Sequence, residues 1–233
     1  MLKLKDKITM DDSDGTHRYT KEDGKVYPSV TTILGAISYT KHIVRWANSL
    51  GFKHINYEDE LERTAIEGTY MHAFAQCLVD PEHGEAPNIK EPLVQYYVRQ
   101  RIQGLKLKLK FHEGHWSTIF TETPLISETY EIGGTLDWYA MWYDKKTLFD
   151  FKSSSGLRAK HLLQLGGYDL MLQDNGEVID QAGIWLVKRD NCVINIIDRP
   201  TLDRCAELFL KVKDWYYENM EMERIVTEKP VIL

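Results

Sequence analysis

Along the first half of the chain, apolar positions recur at helical spacing. Pro28-Ser29 opens a helix through about residue 37, and Thr40 caps a second that ends at Gly51, with Ile43, Val44, Trp46 and Ala47 as its apolar stripe. Residues 57–79 read as a long third helix, and Pro92 at an early helical position opens a fourth through about residue 105. Residues 1–24 are polar, with a short strand expected over 17–20 and an acidic loop at 11–15. That loop lacks the remaining ligand positions and the terminal Glu of a calcium loop, so it reads as a solvated turn.

The period then changes. Residues 117–127 alternate as a strand, and residues 139–144 and 147–151 are dominated by aromatic and β-branched side chains around the polar turn Asp144-Lys145-Lys146, a hairpin signal. A helix over 159–173 follows, then strands over 183–188 and 193–198 around Asp190-Asn191. A long helix over 201–224 comes last, capped by Thr201 and Asp203, with Leu208, Phe209, Val212, Trp215 and Tyr216 as its core stripe. The pattern predicts an α/β fold: a central mixed sheet flanked by helices, with an N-terminal helical extension. The chain divides into a mainly helical part (1–115), a core (116–200) and a C-terminal helix (201–233). With 233 residues, 43% of them hydrophobic, and no linker-like tract, one domain is expected.

The chemistry concentrates in residues 131–168. Asp150 and Lys152 are two residues apart on one strand and so point to the same face, while Asp137 sits on the preceding strand behind Gly133-Gly134. Two carboxylates and an ammonium can converge there, and a divalent cation would offset the cost of burying the acids. The Asp-x-Lys spacing alone carries little weight, because Asp23-Gly24-Lys25 and Asp144-Lys145-Lys146 share it and both look like turns. The apolar strand around Asp150 is what sets it apart. On the next helix Gln164 and Tyr168 share a face at i, i+4 spacing, as do Gly68, His72 and Gln76 on the third helix.

The ordered set His72, Glu122, Gly134-Thr135-Leu136-Asp137, Asp150-Phe151-Lys152 and Gln164-Leu165-Gly166-Gly167-Tyr168 resembles the RecB-like branch of the PD-(D/E)XK nuclease superfamily. Within it, the chain is most similar to the single-domain exonucleases of phages and of mitochondrial genome maintenance, which share an early segment like residues 27–34. The resemblance implies a restriction-endonuclease-like core and a metal-dependent deoxyribonuclease. His72, Asp137, Asp150 and the Phe151 carbonyl would hold Mg²⁺ or Mn²⁺, and Lys152 would position or deprotonate water. Glu122 would bind metal through water or orient Lys152, with a plain surface glutamate as the alternative. Gln164, Tyr168 and Ser153 would face the substrate; for Tyr168 the competing account is helix–sheet packing. If His72 is a ligand, Mn²⁺ should be well accepted beside Mg²⁺, because imidazole suits softer ions.

Bulk properties modify this picture in two places. The net charge of −6 runs against the basic footprint expected of a DNA-binding protein, although metal-binding carboxylates account for part of it and a local basic groove suffices. Lys41, His42 and Arg45 on the second helix, and Lys106, Lys108 and Lys110 after the fourth, are candidates for phosphate contact, against packing and helix-dipole roles. Trp46, Tyr70 and Phe74 are candidates for stacking on bases. Three scattered cysteines, Cys77, Cys192 and Cys205, fit neither a disulfide framework nor a zinc ribbon nor an iron–sulfur cluster. The expected protein is cytoplasmic, phage-encoded or bacterial, and acts in DNA replication, recombination or repair. It would degrade single-stranded DNA from a free end, with no membrane and with a single-strand-binding or recombination protein as a possible partner. The alternative is a non-catalytic DNA-end or recombination-complex binding module, which would be expected to have lost at least one of Asp137, Asp150 and Lys152.

Overall fold

A computed structural model describes residues 8–12, 16–37 and 41–228. The expected cap Thr40, the side chains of Lys41 and His42, and part of the acidic loop at 11–15 lie outside the described residues. The order is β1 (Thr9–Asp11), β2 (Arg18–Thr20), β3 (Val26–Pro28), α1 (Val30–Gly35), α2 (Lys41–Gly51), α3 (Tyr57–Val79), α4 (Pro92–Phe111), β4 (Trp116–Ser127), β5 (Ile132–Trp142), β6 (Lys145–Lys152), α5 (Ala159–Asp174), β7 (Gln181–Val187), β8 (Cys192–Asp198) and α6 (Arg199–Glu228).

The main sheet runs in sequence order, β4-β5-β6-β7-β8. Its pairings are antiparallel except for β6 with β7, which are parallel and joined through α5. This is the mixed, helix-flanked sheet that the change of period predicts. Leu148 belongs to the core shared with α1, α5 and α6, whereas Phe149 and Phe151 belong to an aromatic core beneath α3 and α4. In that second core Trp138 stacks on Phe149 with ring centroids 4.8 Å apart and lies near-parallel to Phe151. Burial on both faces explains why β6 and β7 read as nearly continuous apolar runs.

Several boundaries differ from expectation for identifiable reasons. The β5–β6 turn is Tyr143-Asp144, both with positive φ, rather than residues 144–146; two left-handed residues in succession suit a two-residue hairpin loop. The fourth helix does not end near residue 105. Leu105 and Leu109, both buried, continue its inward stripe past the alternating lysines, so it runs to Phe111. The last helix begins at Arg199, and its cap is Asp198, which accepts from the Thr201 amide at 3.1 Å, in place of Thr201 and Asp203. Within its expected stripe Phe209 is fully buried, but Trp215 is 51% exposed. On α2, Ile43 and Val44 of the expected stripe are exposed, whereas Trp46 and Ala47 are half-buried.

The N-terminal part also carries a small antiparallel sheet, β1-β2-β3, beside its helices. Tyr19 of β2 fastens it to the main sheet: its ring occupies the place where a Cβ on Gly133 would sit, 2.7 Å away, and its hydroxyl meets Thr135 Oγ1 at 2.9 Å. Ser29 caps α1 by accepting from the Thr32 amide and bridges to Gly133. Val30, Ile33 and Leu34 are then fully buried, which gives residues 27–34 a structural task at the sheet's edge. No helix among the described residues is long and apolar enough to cross a membrane.

Candidate metal centre

Three elements bring the predicted residues together. β6 delivers Asp150 and Lys152 on one face, as their spacing requires, and Lys152 Nζ donates to Asp150 Oδ1 at 2.7 Å. β5 delivers Asp137, whose Oδ2 accepts the Phe151 amide at 2.7 Å. α3 lays His72 across both, with Nδ1 3.3 Å from Asp137 Oδ2 and its ring edge-on to Phe151. Phe151 thus enters the site through its amide and its ring.

Glu122 completes the cluster from β4. It adopts φ 41°, a left-handed conformation uncommon for a residue without the freedom of glycine, inside a strand that also bulges between Thr118 and Phe120. Ligand atoms of His72, Glu122 and Asp137 lie within 4.8 Å of one another. Side-chain hydrogen bonds hold the neighbouring Thr121: Gln76 donates to its Oγ1 at 3.3 Å, and that hydroxyl donates to Asp80 at 2.9 Å. Gln76, on the same helical stripe as His72, therefore braces the strand that presents Glu122.

The electrostatics are those of crowded acids. Burial, reinforced by the Asp137 charge, pushes the Glu122 carboxyl up to about 7. Burial likewise raises Asp150 to about 6 even though Lys152 pulls the other way. Asp137 resists its own burial because His72, Lys152 and the Phe151 amide favour the anion, and its pKa is lowered. Burial opposes charge on Lys152 too, but Asp150 and Asp137 outweigh it and raise its pKa, so the side chain is an ammonium.

Asp150 is 0% exposed, and its Oδ2 finds no hydrogen-bond partner among the described residues. A buried carboxylate oxygen left alone costs free energy that a hard cation would recover. The donor set of carboxylate oxygens and one imidazole suits Mg²⁺ and better Mn²⁺. The residues present therefore fit a divalent ion.

Around this centre the substrate candidates separate. Gln164 and Tyr168 are both buried, and the Gln164 amide donates to the Tyr168 hydroxyl at 2.8 Å. The Tyr168 ring packs on Gly134, where a Cβ would lie 2.7 Å away, so it has no free face for a base. Burial and the nearby Asp137 and Asp150 keep its phenol protonated. Ser153 is half-buried, with its carbonyl held by Arg101 at 3.1 Å and its hydroxyl facing Gly68. Tyr70 and Phe74 pack against the cluster of Ile89, Val94 and Val98, and Trp46 meets Tyr57 edge-on at 5.4 Å. All three aromatics are half-buried, so each has a packed face and a partly open one.

The lysines at the end of α4 do not flank the centre. His112, just past that end, bonds Tyr143 at the β5–β6 turn, and Lys152 closes β6 at its opposite end. The nearby basic residues that the spacing did not reveal are Lys160 and a neutral imidazole, His161, at the start of α5. Burial and Lys152 together lower Lys160, and burial with the same neighbour brings His161 to about 4. A groove of about 620 Å³ runs along α3 past Gly68, Thr69, His72 and Ala73 to Glu122.

No protein-family model and no curated protein matches the chain. Among solved structures, one described as "Crystal structure of SSO0001" is similar at 17% identity, with a TM-score of 0.29, over 61% of this chain and 75% of that one. A likeness that distant carries no argument about the site. What the fold and its side chains define is an α/β protein with a buried carboxylate, histidine and lysine cluster at one end of its central strands.

Proposed function

We propose that the protein is a metal-dependent deoxyribonuclease, an exonuclease that hydrolyses single-stranded DNA from a free end. The observation that carries the reading is the group of His72, Glu122 and Asp137, whose ligand atoms lie within 4.8 Å of one another, next to the fully buried Asp150 with its unpartnered Oδ2 and the Lys152 ammonium on the same strand face. Phosphodiester hydrolysis needs charge neutralisation at the phosphoryl oxygens, an oriented water and help for the leaving alkoxide. When bound, Mg²⁺ or Mn²⁺ would supply the Lewis acidity and lower the pKa of water. The protein's share is distinct. Asp137, Asp150, Glu122 and His72 would hold the ion, the Phe151 amide fixes Asp137, and Lys152 Nζ, which donates to Asp150, would stabilise the oxygen on which negative charge grows. Lys160 adds positive charge beside Lys152, a local basic site within an acidic chain.

The single-strand preference comes with the resemblance to RecB-like single-domain nucleases, and the groove past His72 and Glu122 is where a strand would lie. The requirement for a free end comes with the resemblance to single-domain exonucleases. It is tested with covalently circular single-stranded DNA against the same molecule linearised, at equal protein and Mn²⁺. Degradation of the linear form alone is expected; comparable degradation of the circle would make the protein an endonuclease.

A further inference from the structure

Away from the metal centre, Glu67 of α3 is buried at 1% exposure, and three guanidinium groups converge on it. Arg63 reaches it from the preceding turn, Arg101 of α4 at 3.5 Å, and Arg189, beyond the end of β7, at 3.1 and 3.3 Å. Arg101 also donates to the carbonyls of Ser153 and Val187, at 3.1 and 2.7 Å, which lie at the ends of β6 and β7. Arg189 in turn lies 3.4 Å from the centre of the Tyr97 ring on α4. One carboxylate therefore ties together two helices and two strand ends.

Stability does not explain such a cluster. Burying several charges costs about as much as their attraction returns, and well-packed apolar replacements are often neutral or better. Here Arg101 Nε and Arg189 Nε are buried without a hydrogen-bond partner, which adds to the cost. What the cluster supplies is position. Glu67 precedes His72 by five residues on one rigid helix, and Ser153 directly follows Lys152. The His72 to Asp137 distance of 3.3 Å is at the long end for a hydrogen bond, so a small shift of α3 would undo it.

We propose that Glu67 is a positioning residue of the metal centre: by anchoring α3 to Arg101 and Arg189, it sets the reach of the His72 imidazole towards the ion shared with Asp137. The inference rests on the metal-binding reading above. Its test is a Mn²⁺ titration, followed by electron paramagnetic resonance of the free ion, on the wild type, Glu67→Gln, His72→Ala and the double variant, each first checked for fold by circular dichroism. Glu67→Gln is expected to weaken Mn²⁺ binding roughly tenfold, the low end of what losing groups behind a metal ligand costs. With His72 already replaced by Ala, the same change should have less than about a twofold effect, because residues acting through one another are not additive. Glu67→Asp, which keeps the charge, should recover most of the loss. Should Glu67→Gln not fold, Arg189→Gln at the partly exposed rim is the substitute, with the same dependence on His72 expected. Wild-type affinity in Glu67→Gln, or an equal loss with and without His72, would overturn the proposal while leaving the metal centre standing. A wild-type protein that takes up no Mn²⁺ would overturn the metal reading itself, and this inference with it.

Discussion

Replacing Asp150 by Asn should make the metal-free protein more stable while removing its response to metal. The carboxyl is fully buried, and burial raises its pKa from 3.8 to about 6. A raised carboxyl contributes stability that is complete below about pH 4 and lost as pH rises through about 6, so at pH 8 the ionised group weighs against folding. Two units correspond to about 3 kcal/mol. Asn is neutral and nearly the same shape, and its carbonyl can still accept from Lys152, which now lacks a counter-charge. An unpaired amide nitrogen would replace an unpaired oxygen. After these offsets a net gain of about 1–2 kcal/mol is expected, or about 2–8 °C in Tm for a chain of this size. Differential scanning calorimetry at pH 8 in chelator reads it directly, and at pH 5 the advantage should largely vanish. With saturating Mn²⁺ the order should reverse, because the wild type gains binding free energy and the variant does not. A variant less stable than wild type in chelator at pH 8, or one with an undiminished rise in Tm on adding Mn²⁺, would refute the reasoning.

Lys152→Ala should lower cleavage by roughly 10²–10³-fold, the scale of losing one donor to developing charge, while Mn²⁺ affinity by calorimetric titration stays within a few-fold of wild type. His72→Ala should cost less activity than Asp150→Asn and should shift the Mg²⁺ to Mn²⁺ activity ratio towards Mg²⁺, since only the nitrogen ligand is lost; an unchanged ratio with normal activity would leave His72 a packing residue. Because Glu122 and Asp150 hold protons up to about 7 and about 6, metal must displace them, and Mn²⁺ affinity should climb through pH 6–7 and flatten above about 8. Titrations in buffers of different ionisation enthalpy would detect the released protons.

The parts of this structure legible in the sequence are those with a local period. β6 could be read because buried residues on both its faces leave an apolar run in which Asp150 and Lys152 stand out; Gln164 and Tyr168 on α5 do pair, and Gly68, His72 and Gln76 on α3 line one groove. The first small sheet escaped because three-residue strands leave too short a pattern, except over residues 18–20. The end of α4 was misread because Lys and Leu alternate there while Leu105 and Leu109 keep the helical spacing. Glu67, Arg101 and Arg189 carried no signal: their contacts span 34 and 122 positions, and Arg63 with Glu67 looks like any i, i+4 surface pair. For the half-buried aromatics Trp46, Tyr70 and Phe74, composition does not separate a stacking face from a packed one. Glu122 was legible as a candidate, but its left-handed backbone was not.

The central claim is that this cluster of acids, His72 and Lys152 hydrolyses DNA with a divalent ion. The most direct test incubates an end-labelled single-stranded oligonucleotide with wild type, Asp150→Asn or Lys152→Ala, in Mn²⁺, Mg²⁺ or chelator, and follows products on a denaturing gel. The account predicts progressive shortening by the wild type with either metal, none in chelator, and little or none with either variant. Shortening that persists in chelator, or full activity in either purified variant, would contradict it.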